Sequence, residues 1–283
     1  MIQTSVITAV CVTLFISFIF PLILYILYGI KNKGQGVWTA WLLGAAGFFV
    51  MQIIIRIPIL SLLSLSQSFL DFATKHYVPY CLILALTAGL FEAAGRYAVA
   101  KIMSKRLTFR RSVAAGLGHG GIEAILIVGM TYVNNLVYIF MIRTGTFDRM
   151  VEQTAQLGVD TSALLTIKHT LEASGPAIYY LAGYERLLTM IFHVALSLLV
   201  CYFVRKKMDF CGIALCVALH GLVDFVAPLI NGMAQGYLSP GGSYTIPQST
   251  AYILIYGFLT LVAALSIAGI LLLKKRWPEE MPS

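Results

Sequence analysis

Seven runs of apolar residues, each long enough to cross a lipid bilayer, constrain this chain more than any other feature. A membrane-crossing helix needs about 20 residues. Runs of that length occupy roughly 4–29, 37–58, 77–100, 112–140, 176–204, 210–232 and 249–273. Of the 283 residues, 59% are hydrophobic and only 11% are charged, which places the chain outside the soluble globular range. The expected fold is all-α, a polytopic transmembrane bundle of about seven spans. No low-complexity linker or internal repeat divides it, so residues 1–283 read as a single integral membrane domain. No basic residue precedes Lys31, and the first apolar run is too long for the h-region of a signal peptide. The expectation is a retained helix.

The formal net charge of +8 suggests a nucleic-acid ligand only until its distribution is read. Lys31 and Lys33 follow the first span. Lys101, Lys105, Arg106, Arg110 and Arg111 follow the third, Arg205, Lys206 and Lys207 the fifth, and Lys274, Lys275 and Arg276 the seventh. The opposite loops hold only Lys75, Arg143, Arg149 and Lys168. By the positive-inside rule the N-terminus faces out and the C-terminus faces the cytoplasm. The partner of this charge is the lipid bilayer, with its anionic head groups, and no nucleic acid. The five cysteines fall within the spans, form no C-x-x-C motif and read as packing residues.

Ionisable side chains inside a span cost a few kcal/mol each, which makes them functional candidates. Three spans carry them at i, i+4, on one helix face. The third span has Glu92 and Arg96, the fourth has His119 and Glu123, and the sixth has His220 and Asp224. The fifth adds His193. Counting at 1.5 Å per residue from the basic boundary of each helix puts Glu92 at about 13 Å, His119 at about 12 Å, and Glu123 and His193 at about 18 Å. His220 and Asp224 come out at about 20 and 25 Å, as upper values. Each pair alone suits a packing role, such as an ion pair or an interhelical hydrogen bond. Packing pairs have no reason to share a depth, so one site collecting all seven residues is the stronger expectation. Glu185 and Arg186 lie near the outer end of the fifth span, and His76 and His169 fall in outer loops, outside this slab.

Three imidazoles with carboxylates suit a transition metal, Zn²⁺ most readily. His119, His193 and His220 are the candidate ligands, with Asp224 as a fourth ligand or as the group that orients a histidine. Glu92 or Glu123 is the candidate general base, and Arg96 joins them as a catalytic candidate. A metal-free arrangement is also open, in which Glu92 activates water, His119 assists, and His220 with Asp224 stabilises an oxyanion. Both hydrolyse an amide in or beside the bilayer. A proton or metal-ion relay and a noncatalytic scaffold would use the same buried groups. Transporters favour repeats and broken helices. Here Pro58 and Pro228 are placed to break spans locally. The amphipathic stretches 61–75 and 149–173 are expected to lie on the outer surface.

Phe91-Glu92-Ala-Ala-Gly-Arg96, Gly116-Leu-Gly-His119-Gly-Gly-Ile-Glu123 and His220-Gly-Leu-Val-Asp224 resemble the motifs of the YhfC family of intramembrane metalloproteases. They are also similar to those of the wider CAAX-protease and bacteriocin-processing (CPBP) superfamily. The resemblance covers nearly the whole chain. It implies a peptidase with Glu92, His119, His220 and Asp224 in its site, acting on a membrane protein or peptide. The implied location is a bacterial plasma membrane. Phe91 stands where the superfamily usually has a glutamate, Asp224 where many members have Asn, and 141–175 is a longer outer segment. These departures point away from a prenylated substrate, and Glu123 and His193 point toward a metal. The superfamily also contains a noncatalytic seven-span scaffold, so fold likeness alone does not imply catalysis.

Overall fold

A computed structural model describes residues 2–238 and 245–277, all helix, turn and loop with no strand among them. Seven helices are long and apolar enough to cross a membrane: Thr4–Lys31, Val37–Leu63, Tyr77–Ile102, Phe109–Thr144, Pro176–Arg205, Asp209–Ala234 and Gln248–Arg276. They are the seven expected spans, each somewhat longer than its apolar run. Lys31, Lys101, Arg205 and Lys274–Arg276 occupy last turns, where a cation meets the negative end of the helix dipole. Asp209 opens the sixth span and accepts from Lys101 at 2.6 Å and Tyr97 at 3.0 Å, tying the ends of the third and sixth spans together.

The amphipathic stretches resolve into short helices. Gln67–Lys75 follows the second span, and Thr146–Gln156 and Ser162–Ala173 precede the fifth. Gly158, at φ +73°, turns the chain between the last two, a conformation glycine adopts without a Cβ penalty. His169, expected in a loop, sits exposed on Ser162–Ala173, because 162–173 is a helix of its own.

Neither proline breaks its span. Phe49–Arg56 winds as a wider π-helix that ends two residues before Pro58, and Phe15–Ile19 does the same two residues before Pro21. Proline offers no N–H to the carbonyl four residues back and its ring presses on that carbonyl. The wider turn absorbs the conflict and the helix continues. Pro228 lies within an unbroken Asp209–Ala234, at the cost of the helical donor to the Asp224 carbonyl.

Contacts group the chain into two compact units. The smaller comprises Met1–Ile23 and Ala124–Leu187. Its core is Val6, Val10, Tyr132, Ile139, Leu171 and Tyr179, and the Thr13 hydroxyl donates to the Tyr179 carbonyl at 2.5 Å. The larger comprises Leu24–Glu123 and Leu188–Ser283, with a core of small residues (Ala40, Ala45, Ala93, Ala114, Ala115) between Trp41, Leu196 and Val200.

Small residues matter because lipid is as apolar as leucine, so helices gain by packing closely rather than by leaving water. The second and fourth spans do this by exchange. Gly44 rests on the Ala115 carbonyl, and Gly118 on the Trp41 carbonyl. A Cβ at either would overlap that oxygen. Gly118→Ala should therefore lose about 1–3 kcal/mol from overpacking, read as a lower melting temperature of the detergent-solubilised protein. Gly269, with nothing within 4 Å of its missing Cβ, is the control: Gly269→Ala should melt no lower than wild type.

Candidate metal centre

Glu92 is the centre of the buried polar network in the larger unit. It lies mid-way along the third span at 4% exposure, where an uncompensated carboxylate would cost several kcal/mol. Its two oxygens are served separately. Oε1 accepts from the Gln52 amide at 2.8 Å. Oε2 faces Arg96 Nη2 at 3.1 Å, His119 Nε2 at 3.0 Å and His220 Nε2 at 2.8 Å, with His193 Nδ1 at 3.7 Å. One carboxylate thus gathers groups from the second, third, fourth, fifth and sixth spans.

His193 has a defined tautomer. Arg96 Nη2 approaches its Nδ1 to 2.5 Å. A guanidinium only donates, so Nδ1 must accept. The proton then sits on Nε2, which faces Glu123 Oε2 at 2.6 Å. Space for the ring comes from Gly120, whose missing Cβ would lie 2.9 Å from the His193 Cβ. The His119 and His193 rings stack at a centroid distance of 5.4 Å, and Phe48 meets His119 edge-on at 5.2 Å.

His220 is flanked by two carboxylates, Glu92 at its Nε2 and Asp224 at its Nδ1, the latter at 3.2 Å. Neither contact has hydrogen-bond alignment, so both nitrogens lack an aligned partner among the described residues. Asp224 reaches His220 from one helical turn further on and does not reach Glu92. It is the least buried member, its side chain 36% exposed. Its placement suits orienting His220 rather than closing around an ion.

All seven sequence-derived residues thus lie in one connected network. Glu185 pairs with Arg186 in the smaller unit, and His76 is exposed. Two members of the network escaped the sequence reading. Gln52 bridges Glu92 and Arg56, whose Nη1 donates to the Gln52 carbonyl oxygen at 3.2 Å while its Nη2 donates to the Leu84 carbonyl at 2.8 Å. The overlooked signal was the same i, i+4 spacing, in the second span and within its π-helical stretch, a feature frequent at functional sites.

A divalent ion fits this donor set. Ligand atoms of Glu92, His119 and His193 lie within 4.8 Å of one another, all buried. Carboxylate and imidazole are ordinary ligands of zinc. His220 Nε2, buried beside Glu92 without an aligned partner among the described residues, is a further donor atom at the edge of this group. Glu92, Glu123 and Asp224 bring three carboxyl groups to the network beside the two guanidiniums of Arg56 and Arg96. Glu92, His119 and His193 are the three closest groups, and His220 contacts Glu92 from the side.

The profile of the YhfC intramembrane metalloprotease family matches residues 16–238. The chain belongs to the YhfC family. It is 29% identical over 265 residues to a protein of Bacillus subtilis (strain 168) described as the uncharacterized membrane protein YhfC, an alignment covering 92% of this chain and 93% of that one. No solved structure matches. With its seven apolar helices, this YhfC-family chain is a multi-pass membrane protein.

Gln52 is the least obvious support of the site and the simplest to test. Gln52→Leu keeps the side-chain volume but leaves Glu92 Oε1 buried without a donor. The expected loss is about 1–3 kcal/mol of stability, the cost of an unsatisfied buried acceptor. Thermal unfolding in detergent measures it, and an unchanged midpoint would remove Gln52 from the network.

Proposed function

We propose that the protein is an intramembrane metallopeptidase that hydrolyses a peptide bond of a membrane-embedded protein or peptide. The observation carrying this reading is the buried convergence of Glu92, His119 and His193, with His220 at its edge, in a chain of the YhfC family. In this reading His119, His193 and Glu92 hold the ion, and His220, oriented by Asp224, completes the set. Zn²⁺ is the ion these donors suit best. Bound there, it supplies Lewis-acid polarisation and water activation.

The chain's own residues divide the remaining work. Glu92 is held at both oxygens, by Gln52 and by the Arg96–histidine group, so its position is fixed as a ligand's must be. Glu123 is the more exposed carboxylate, its side chain 16% exposed against 5% for Glu92, and it stands one helical turn from His119. That makes Glu123 the better candidate for general base, able to take a proton from the attacking water and pass it to the leaving amine. Arg96 offsets the carboxylates, and the surrounding apolar spans keep bulk water from a centre where electrostatic contacts are strong.

One observation favours a second reading. The 3.0 Å contact between Glu92 and His119 is the pairing that a metal-free glutamic peptidase would use. The two separate cleanly in proteoliposomes carrying a single-span peptide with a fluorogenic bond. The metallopeptidase reading expects cleavage that stops on chelation and returns with Zn²⁺. Glu123→Gln should keep the metal yet lose about 10²–10⁴-fold in rate, the usual contribution of a positioned base. Cleavage indifferent to chelation and to Glu123→Gln, but lost in Glu92→Gln, would establish the glutamic type instead.

A further inference from the structure

We infer that Arg96 is an internal competitor for the metal centre, occupying with its guanidinium the place between Glu92 and His193 that a divalent cation takes. This rests on the metallopeptidase reading above and concerns a residue the carboxylates and histidines alone would not single out.

Three observations meet on Arg96. First, its Nη2 lies 2.5 Å from His193 Nδ1 and 3.1 Å from Glu92 Oε2, so one cationic nitrogen joins two of the three closest ligand groups. The His193 lone pair it takes is the one a metal would need on that nitrogen, and a nitrogen lone pair serves one partner at a time. Second, Nε and Nη1 are buried and have no aligned nitrogen or oxygen acceptor among the described residues, with only the soft Cys216 thiol beside the guanidinium. A guanidinium held only to form a structural ion pair would be expected to have those donors satisfied as well. Third, Arg96 borders a cavity of about 10 Å³, room for about one water. Gly44, Val99, Ala115, His119, Ser197 and Cys201 complete its lining. Ser197 Oγ is itself buried without a hydrogen bond. Arg96 therefore has a partner in the bridge and, beside it, an acceptor and space to turn toward.

The consequence is a centre whose charge is satisfied in both states. Without metal the guanidinium bridges Glu92 and His193, so the buried carboxylate is never bare. With metal, Arg96 gives up His193 and finds Ser197. Affinity for the ion is lowered by the strength of the bridge, and loading becomes sensitive to the packing around Ser197, in the fifth span.

The test is zinc affinity of the full-length, detergent-purified protein, stripped of metal and titrated against a chromophoric chelator. Arg96→Met removes the competitor and should bind Zn²⁺ about tenfold or more tighter than wild type, in the range that neighbours of metal ligands command. The gain should vanish in Arg96→Met/His193→Ala. Ser197→Val fills the cavity and removes the acceptor without touching a ligand, and should bind about tenfold more weakly. Should Arg96→Met fail to fold, the Ser197→Val result decides alone. Zinc binding by wild type that is unchanged or weaker in Arg96→Met, or unchanged in Ser197→Val, overturns the competitor role and leaves the metal centre standing. No zinc binding by any variant overturns the metal centre, and the competitor role with it.

Discussion

A carboxylate buried within a membrane-spanning helix has to be answered by its neighbours, and in this protein Glu92 sets that demand. Its two oxygens are met from five spans: Gln52, Arg96, His119, His193 and His220 all lie within 4 Å of it. Moving any of these helices by a turn, about 5.4 Å, would strip a partner from Glu92. The network therefore specifies register among the spans in a way that apolar packing against lipid cannot, since one leucine face resembles another there. The close approach that such contacts need is supplied by small residues. Gly44 and Gly118 bring the second and fourth spans backbone to backbone, and Gly120 admits the His193 ring. Polar network and small-residue contacts depend on each other.

The same arrangement explains why the site is suited to a cation. Three carboxylates and three imidazoles converge beside two guanidiniums. Arg56 acts at a distance, through Gln52, and so fixes the face that Glu92 turns toward the histidines. Arg96 acts directly and takes a lone pair that a metal would use. Function in this account is the outcome of that contest rather than of the ligands alone.

Much of this was legible in the sequence, for definite reasons. Lipid imposes a length on every span, so the seven helices follow from hydropathy, with ends shifted by a few residues. Charged residues in such a span stand out, and the i, i+4 spacing that puts two on one face identified Glu92 with Arg96, His119 with Glu123, and His220 with Asp224. Three things were not legible. Gln52 is neutral and raises no alarm in a hydrophobic run, and Arg56 sits near enough to a span end to pass for an interfacial residue. Which carboxylate contacts which imidazole depends on helix rotation, which depth along a span does not give, so the pairing of Glu92 with His119 and His220 and of Glu123 with His193 comes from the structure. The expectation that proline breaks a span overlooked the π-helical turn, which takes up the strain before Pro58 and leaves the helix continuous.

The central claim is that Glu92, His119 and His193 form a metal centre. X-ray absorption at the zinc edge tests it most directly, on protein purified without chelators, together with metal counting. The account predicts about one zinc per chain, a shell of nitrogen and oxygen at about 2.0–2.1 Å with imidazole scattering, and no sulfur. Substoichiometric zinc that survives in a His119→Ala/His193→Ala variant, or a sulfur shell at about 2.3 Å, would contradict it.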